Sequence, residues 1–188
     1  MSNEMRDLLL ENPIIVAVHD EKELDNALKS NAYIIFVLFG SIVTIGDISK
    51  KIKQASKVFF VHIDKIEGLR ADESAITFLK QTTDVQGILT TKQTLIKPAK
   101  KLGLHTVLRV FIIDSKSIKT AMYNIEESKP CAIEIMPGIS AKIIKRFCEK
   151  TCLPIIAGGL IDTKEEVIAC LNAGALAVSS SKETVWEC

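Results

Sequence analysis

A chain of 188 residues, 47% hydrophobic and 25% charged, has the composition of a globular protein large enough to bury one substantial core. Its net charge of +1 excludes a coat of basic charge for duplex DNA, although a local basic face remains open. No apolar run approaches the roughly 20 residues of a membrane-crossing helix. The N-terminal segment lacks the apolar centre of a signal peptide, and no Ser-, Gln- or Pro-rich tract marks a linker, so the expectation is one cytosolic domain over 1–188.

Taken in order, short apolar, β-branched runs fall at 14–18, 33–38, 58–63, 87–89, 104–110, 131–135, 154–157 and 175–178. Continuous apolar runs of this length suit strands buried on both faces, as in a parallel sheet covered by helices. Helical spacing fills the gaps: Leu24 and Leu28; Ile48, Ile52 and Ala55; Ala75, Ile76 and Leu79; Val167, Ile168 and Leu171. Thr163 with Glu166 three residues on reads as a capping box opening the helix before the last strand.

Eight strands alternating with helices predict an α/β fold, a compact (β/α)8 TIM-type barrel. The strand starts run from Ile14 to Ala175 in seven steps of about 23 residues, shorter than the usual unit. An open doubly wound sheet is the competing fold. The strand count and the absence of a G-x-G-x-x-G after the first strand favour the barrel.

Barrels of this kind carry their chemistry at the C-terminal ends of the strands. The leading signal there is Gly158-Gly159 followed, one unit later, by Ser179-Ser180. Glycines let a backbone approach an anion, backbone N–H groups and hydroxyls supply donors, and the turns after strands seven and eight are a frequent phosphate position. His62 and Asp64 alternate in Val61-His-Ile-Asp-Lys65, which predicts a shared face able to bind a polyol or fix the core. Glu134 lies between isoleucines and needs a partner if buried; Arg109 and Lys65 are the candidates. Five scattered cysteines argue against a disulfide framework. Cys148 and Cys152, four apart on an expected helix, read as core fillers, so neither a metal nor another cofactor is expected. Two lysine-rich helices are expected, one with Lys92, Lys97, Lys100 and Lys101, the other with Lys142, Lys145, Arg146 and Lys150. Such runs are usually solvated faces and here also form a candidate RNA footprint.

Six segments taken together, Val61-His-Ile-Asp-Lys-Ile-Glu-Gly68, Gly87-Ile-Leu-Thr-Thr-Lys92, Arg109-Val-Phe-Ile-Ile-Asp-Ser115, Glu134-Ile-Met-Pro-Gly138, Ala157-Gly-Gly-Leu-Ile161 and Ala173-Gly-Ala-Leu-Ala-Val-Ser-Ser-Ser181, resemble the glycerol uptake operon antiterminator regulatory proteins. The resemblance implies a barrel that responds to glycerol-3-phosphate and binds the leader of a glycerol catabolic messenger RNA. It implies ligand contacts at Gly158, Gly159, Ser179, Ser180, His62, Asp64, Arg109 and Glu134. The chain departs from that pattern at His19-Asp20 and Asp162, where the family carries basic residues, a change that weakens phosphate binding there. A homo-oligomer whose geometry shifts is one way such a ligand could act. The alternative is a barrel enzyme acting on a small phosphorylated polyol or triose, with His62, Asp64, Lys65 and Glu134 supplying acid, base or Schiff-base chemistry.

Overall fold

A computed structural model describes residues 2–188. Helix α1 (Ser2–Glu11) precedes β1 (Ile14–Val18), α2 (Glu21–Lys29), β2 (Ile34–Val37), α3 (Ile45–Gln54), β3 (Val58–His62), α4 (Glu73–Thr82), β4 (Gly87–Thr90) and α5 (Ile96–Lys101). Then come β5 (His105–Phe111), α6 (Ser115–Ser128), β6 (Ala132–Met136), α7 (Ala141–Cys148), β7 (Ile155–Gly158), α8 (Lys164–Asn172), β8 (Ala177–Ser180) and α9 (Glu183–Trp186). All pairings are parallel, and β8 returns to pair with β1, closing the barrel in chain order. The open sheet is thereby excluded; the fold is a TIM barrel.

The apolar runs follow from burial on both faces of this ring. Inward residues Ala17, Phe36, Phe60, Leu89, Val107 and Ile156 fill the interior, and Met5 and Leu9 of α1 join the same cluster. Outward residues pack beneath the helices, for example Val16, Ile35, Val61 and Ile88 on one side and Leu108, Ile133, Ile155 and Val178 on the other. Helix α1 was not apparent in the sequence. It covers the N-terminal end of the barrel, where Arg6 donates to the carbonyl of Cys152 just ahead of β7. Its own signal is the one-turn spacing of Met5 and Leu9.

Helix starts follow local side-chain chemistry. Asp20, Asp72 and Asp114 each accept a hydrogen bond from the backbone N–H three residues on, capping α2, α4 and α6. Thr163 and Glu166 form the expected capping box on α8. Caps of this kind contribute about 1 kcal/mol each.

Three local expectations change. Asp64 is not on a strand: β3 ends at His62, and Ile63–Lys65 form a 3-10 turn, so the two side chains do not share a strand face. Helix α7 stops at Cys148, leaving Cys152 in the following loop; they do not share a helix face. Lys92 precedes α5 rather than riding on it, and its Nζ reaches the carbonyl of Ala71 across the adjoining loop.

Candidate functional site

The inward register of β3, β5, β6, β7 and β8 brings His62, Arg109, Glu134, Gly158 and Ser179 together near the C-terminal mouth. Arg109 is the register partner of Glu134, and Gly158 that of Ser179. The Nε of Arg109 donates to Glu134 Oε2, while Ser179 Oγ donates to Glu134 Oε1 at 2.6 Å. Glu134 is fully buried and Arg109 nearly so. Both carboxylate oxygens are thus matched, which is what burial of this charge demands. Of the two partners open from the sequence, Arg109 is the one engaged; Lys65 is exposed in the 3-10 turn. The terminal Nη groups of Arg109 donate to none of the described residues.

His62 lies beside this pair and is 2% exposed. Its Nδ1 is buried without a hydrogen-bond partner, since Asp64 Oδ2 stands 3.6 Å away, beyond hydrogen-bond reach. Burial, and secondarily the charge of Arg109, holds the imidazole pKa down to about 4, with Asp64 opposing. The ring is therefore neutral at pH 7. The carboxylate of Asp64 accepts from Thr90 Oγ1 and from the backbone N–H and hydroxyl of Thr91, the N–H bond being 2.8 Å. Asp64 ties the β3 turn to the end of β4.

The last two turns are built differently. A Cβ on Gly158 would stand 2.6 Å from Ser179 Oγ and 2.7 Å from Glu134 Oε1. Glycine is required there so that the hydroxyl–carboxylate pair fits. Gly159 has φ +77, and Leu160 after it also has positive φ, so the turn needs glycine's freedom. Ser180 is engaged internally: its Oγ donates to the carbonyl of Ile161 at 2.8 Å and accepts from the N–H of Lys182 at 3.1 Å. At the start of α8, Glu166 accepts from the N–H groups of Asp162 and Thr163. With Asp162 and Glu165 beside it, that helix end already carries negative charge and does not invite an anion. After β1, His19 pairs with Glu23 and Asp20 caps α2.

A cavity of about 390 Å³ opens from Arg109 and Thr91 toward Lys116, Thr120 and Asn124 of α6. Of the ligand residues expected from the sequence only Arg109 lines it; Gly158, Gly159, Ser179, Ser180, His62, Asp64 and Glu134 do not. Thr91 and the α6 residues were absent from the sequence-level site; Thr91 alone had a signal, its place at a strand's C-terminal end. The basic residues named for RNA lie away from the mouth apart from Lys92. Lys97, Lys101, Lys142, Lys145 and Arg146 are exposed on α5 and α7, whereas Lys100 Nζ donates to the carbonyl of Lys129, closing the end of α6. Among the described residues no group of three or more His, Cys, Asp or Glu is placed to hold a metal ion, and no helix is long and apolar enough to cross a membrane.

A closed parallel barrel with a buried, oriented arginine and a neutral histidine at its mouth defines a TIM-barrel protein with a pocket beside that arginine. Residues 14–186 match the family model of the glycerol-3-phosphate responsive antiterminators, and the chain belongs to that family. It is 41% identical over 179 residues to the uncharacterized protein YgcP of Escherichia coli K12, covering 95% of this chain and 94% of that one. The crystal structure of the glycerol uptake operon antiterminator regulatory protein from Listeria monocytogenes superposes with TM-score 0.89 at 31% identity, over 92% of this chain and 94% of the other. The structure of a glycerol uptake operon antiterminator-related protein from Thermotoga maritima gives 0.83 at 30%, over 93% and 98%.

Proposed function

We propose that this protein is a glycerol-3-phosphate-responsive transcription antiterminator of the cytoplasm, binding the leader messenger RNA of a glycerol catabolic operon. The observation that carries the ligand half is Arg109: its Nε is held by Glu134, which Ser179 holds in turn, its terminal groups remain open, and its charge acts on His62, whose buried Nδ1 is unpartnered. A guanidinium so held binds a phosphate through two parallel hydrogen bonds. A polyol hydroxyl donating to His62 Nδ1 would relieve a buried acceptor that is otherwise unsatisfied. The ligand therefore sits against β3 and β5, with Gly158, Ser179 and Glu134 positioning Arg109 rather than touching the phosphate. Asp64 positions Thr91, and Gly159 and Ser180 hold the rim.

The regulatory half rests on family membership and on a path. The cavity beside Arg109 reaches α6, so a ligand that extends from Arg109 into it touches both β5 and a helix of the outer ring. A ligand alters RNA affinity only by preferring the RNA-competent conformation. Gel-shift titration of the leader RNA with and without glycerol-3-phosphate tests this; unchanged affinity across millimolar ligand would sink the proposal.

The second reading, an enzyme on a small phosphorylated polyol or triose, draws on the closeness of His62 and Asp64. A neutral histidine can serve as a base, but Asp64 is engaged with Thr90 and Thr91 rather than orienting the ring. Turnover of triose or glycerol phosphates that disappears in His62→Ala would favour the enzyme.

A further inference from the structure

The balance of +1 conceals an electrical division of the barrel. Residues 92–152 carry twelve Lys and Arg against five Asp and Glu, and the rest of the chain carries twelve against eighteen. Because β5, β6 and β7 are neighbours in the ring, α5, α6 and α7 stand side by side, with the excess of cations around α5 and α7 and with Lys116 and Lys119 of α6 balanced by Glu126 and Glu127. The two halves also differ in pairing. On the acidic flank, Lys50 pairs with Asp47, Lys51 with Glu21 and Lys53 with Asp84. On the basic flank, Lys97, Lys116, Lys119, Lys142, Lys145 and Arg146 make no ion pair with any described residue.

Two grooves mark this flank. One, about 560 Å³, is lined by Lys142, Lys145, Arg146 and Lys150 with Glu149. The other, about 270 Å³, lies between α5 and α6, where Tyr123 faces Lys97, Gln93 and Thr94. Tyr123 is 62% exposed, a large aromatic left in water in a groove that holds the unpaired Lys97 together with Glu127.

We propose that the α5–α6–α7 flank is the RNA-binding surface, with the α7 cluster neutralising phosphates and Tyr123 stacking an unpaired base in the α5–α6 groove. The proposal rests on the RNA-binding reading above and places it on the molecule. Cations spaced over three helices with an aromatic platform between them match the alternation of phosphate and base in single-stranded RNA. Helix α6 contributes both to this flank and to the cavity at Arg109, so ligand and RNA would bear on one element.

The test is fluorescence anisotropy with a labelled RNA hairpin carrying an unpaired loop, and with a fully paired duplex of equal length. The triple variant Lys142→Glu/Lys145→Glu/Arg146→Glu is expected to weaken hairpin binding at least about tenfold and to flatten the salt dependence by about two units of log–log slope. Tyr123→Ala is expected to cost about tenfold on the hairpin and little on the duplex, while Tyr123→Phe binds normally. The control Lys22→Glu/Lys29→Glu/Lys80→Glu makes the same charge change on exposed residues of the acidic flank and is expected to leave binding nearly intact. Gln versions of the α7 triple serve should the Glu variant unfold. If the control weakens binding as much as the α7 triple, or Tyr123→Ala behaves as wild type, the surface is wrong. If wild type fails to bind the hairpin at all, the RNA-binding reading falls with it.

Discussion

The turns after β7 and β8 and the inward ends of β3 and β5 sit at the same mouth, yet they treat their polar groups in opposite ways. In the first region, the hydroxyls of Ser179 and Ser180 and the carboxylate of Glu166 are all engaged with protein atoms. In the second, His62 Nδ1 is buried with no partner and the ends of Arg109 are open. Glycine and serine at strand ends look alike in sequence whether they greet a ligand or satisfy each other. What separates the two cases is whether the side-chain groups are already in use, and unsatisfied buried groups are the more telling sign.

The contrast can be broken most forcefully at Glu134. Glu134→Ala leaves Arg109 buried without its partner, and a loss of about 3–5 kcal/mol is expected by urea unfolding. A loss under about 1 kcal/mol would mean that Arg109 is held by something else. Gly158→Ala comes next: its Cβ would collide with Ser179 Oγ and Glu134 Oε1, and destabilisation of about 1–3 kcal/mol is expected. Unchanged stability with lost ligand binding would return Gly158 to the role of anion cradle. Ser180→Ala removes hydrogen bonds to Ile161 and Lys182 and is expected to lower stability by about 1 kcal/mol with little effect on ligand affinity.

A further effect is in pH dependence. The His62 imidazole titrates at about 4 in the folded chain against 6.5 as its ordinary value. Between these values the unfolded chain binds the additional proton, so this group's contribution to stability is complete above pH 6.5 and is lost as pH falls toward 4. In His62→Asn that part of the slope should vanish from pH-dependent unfolding curves; an identical slope would show that the ring titrates normally.

Much of this was legible in the sequence, and the exceptions have physical causes. Strands buried on both faces gave continuous apolar runs, and closure followed from their number. The ends shifted because strand pairing extends into polar residues: Ser179 and Ser180 belong to β8 although they read as a turn. Glu134 announced its need for a partner, and Arg109 was among the two residues named. Helix α1 is short and charged, so only the one-turn spacing of Met5 to Leu8 and Leu9 betrayed it. The 3-10 turn that moves Asp64 off the strand leaves no periodic trace. That Ser179 serves Glu134, or that Tyr123 lies in a groove with Lys97, depends on contacts between residues far apart in the chain.

The most direct test of an Arg109-centred site is calorimetric titration of glycerol-3-phosphate into wild type, Arg109→Lys and Ser180→Ala. Lysine keeps a cation beside Glu134 but lacks the fork, so the account predicts at least about tenfold weaker binding for Arg109→Lys and near-normal binding for Ser180→Ala. The reverse order, with Arg109→Lys binding as wild type and Ser180→Ala losing the ligand, would contradict it.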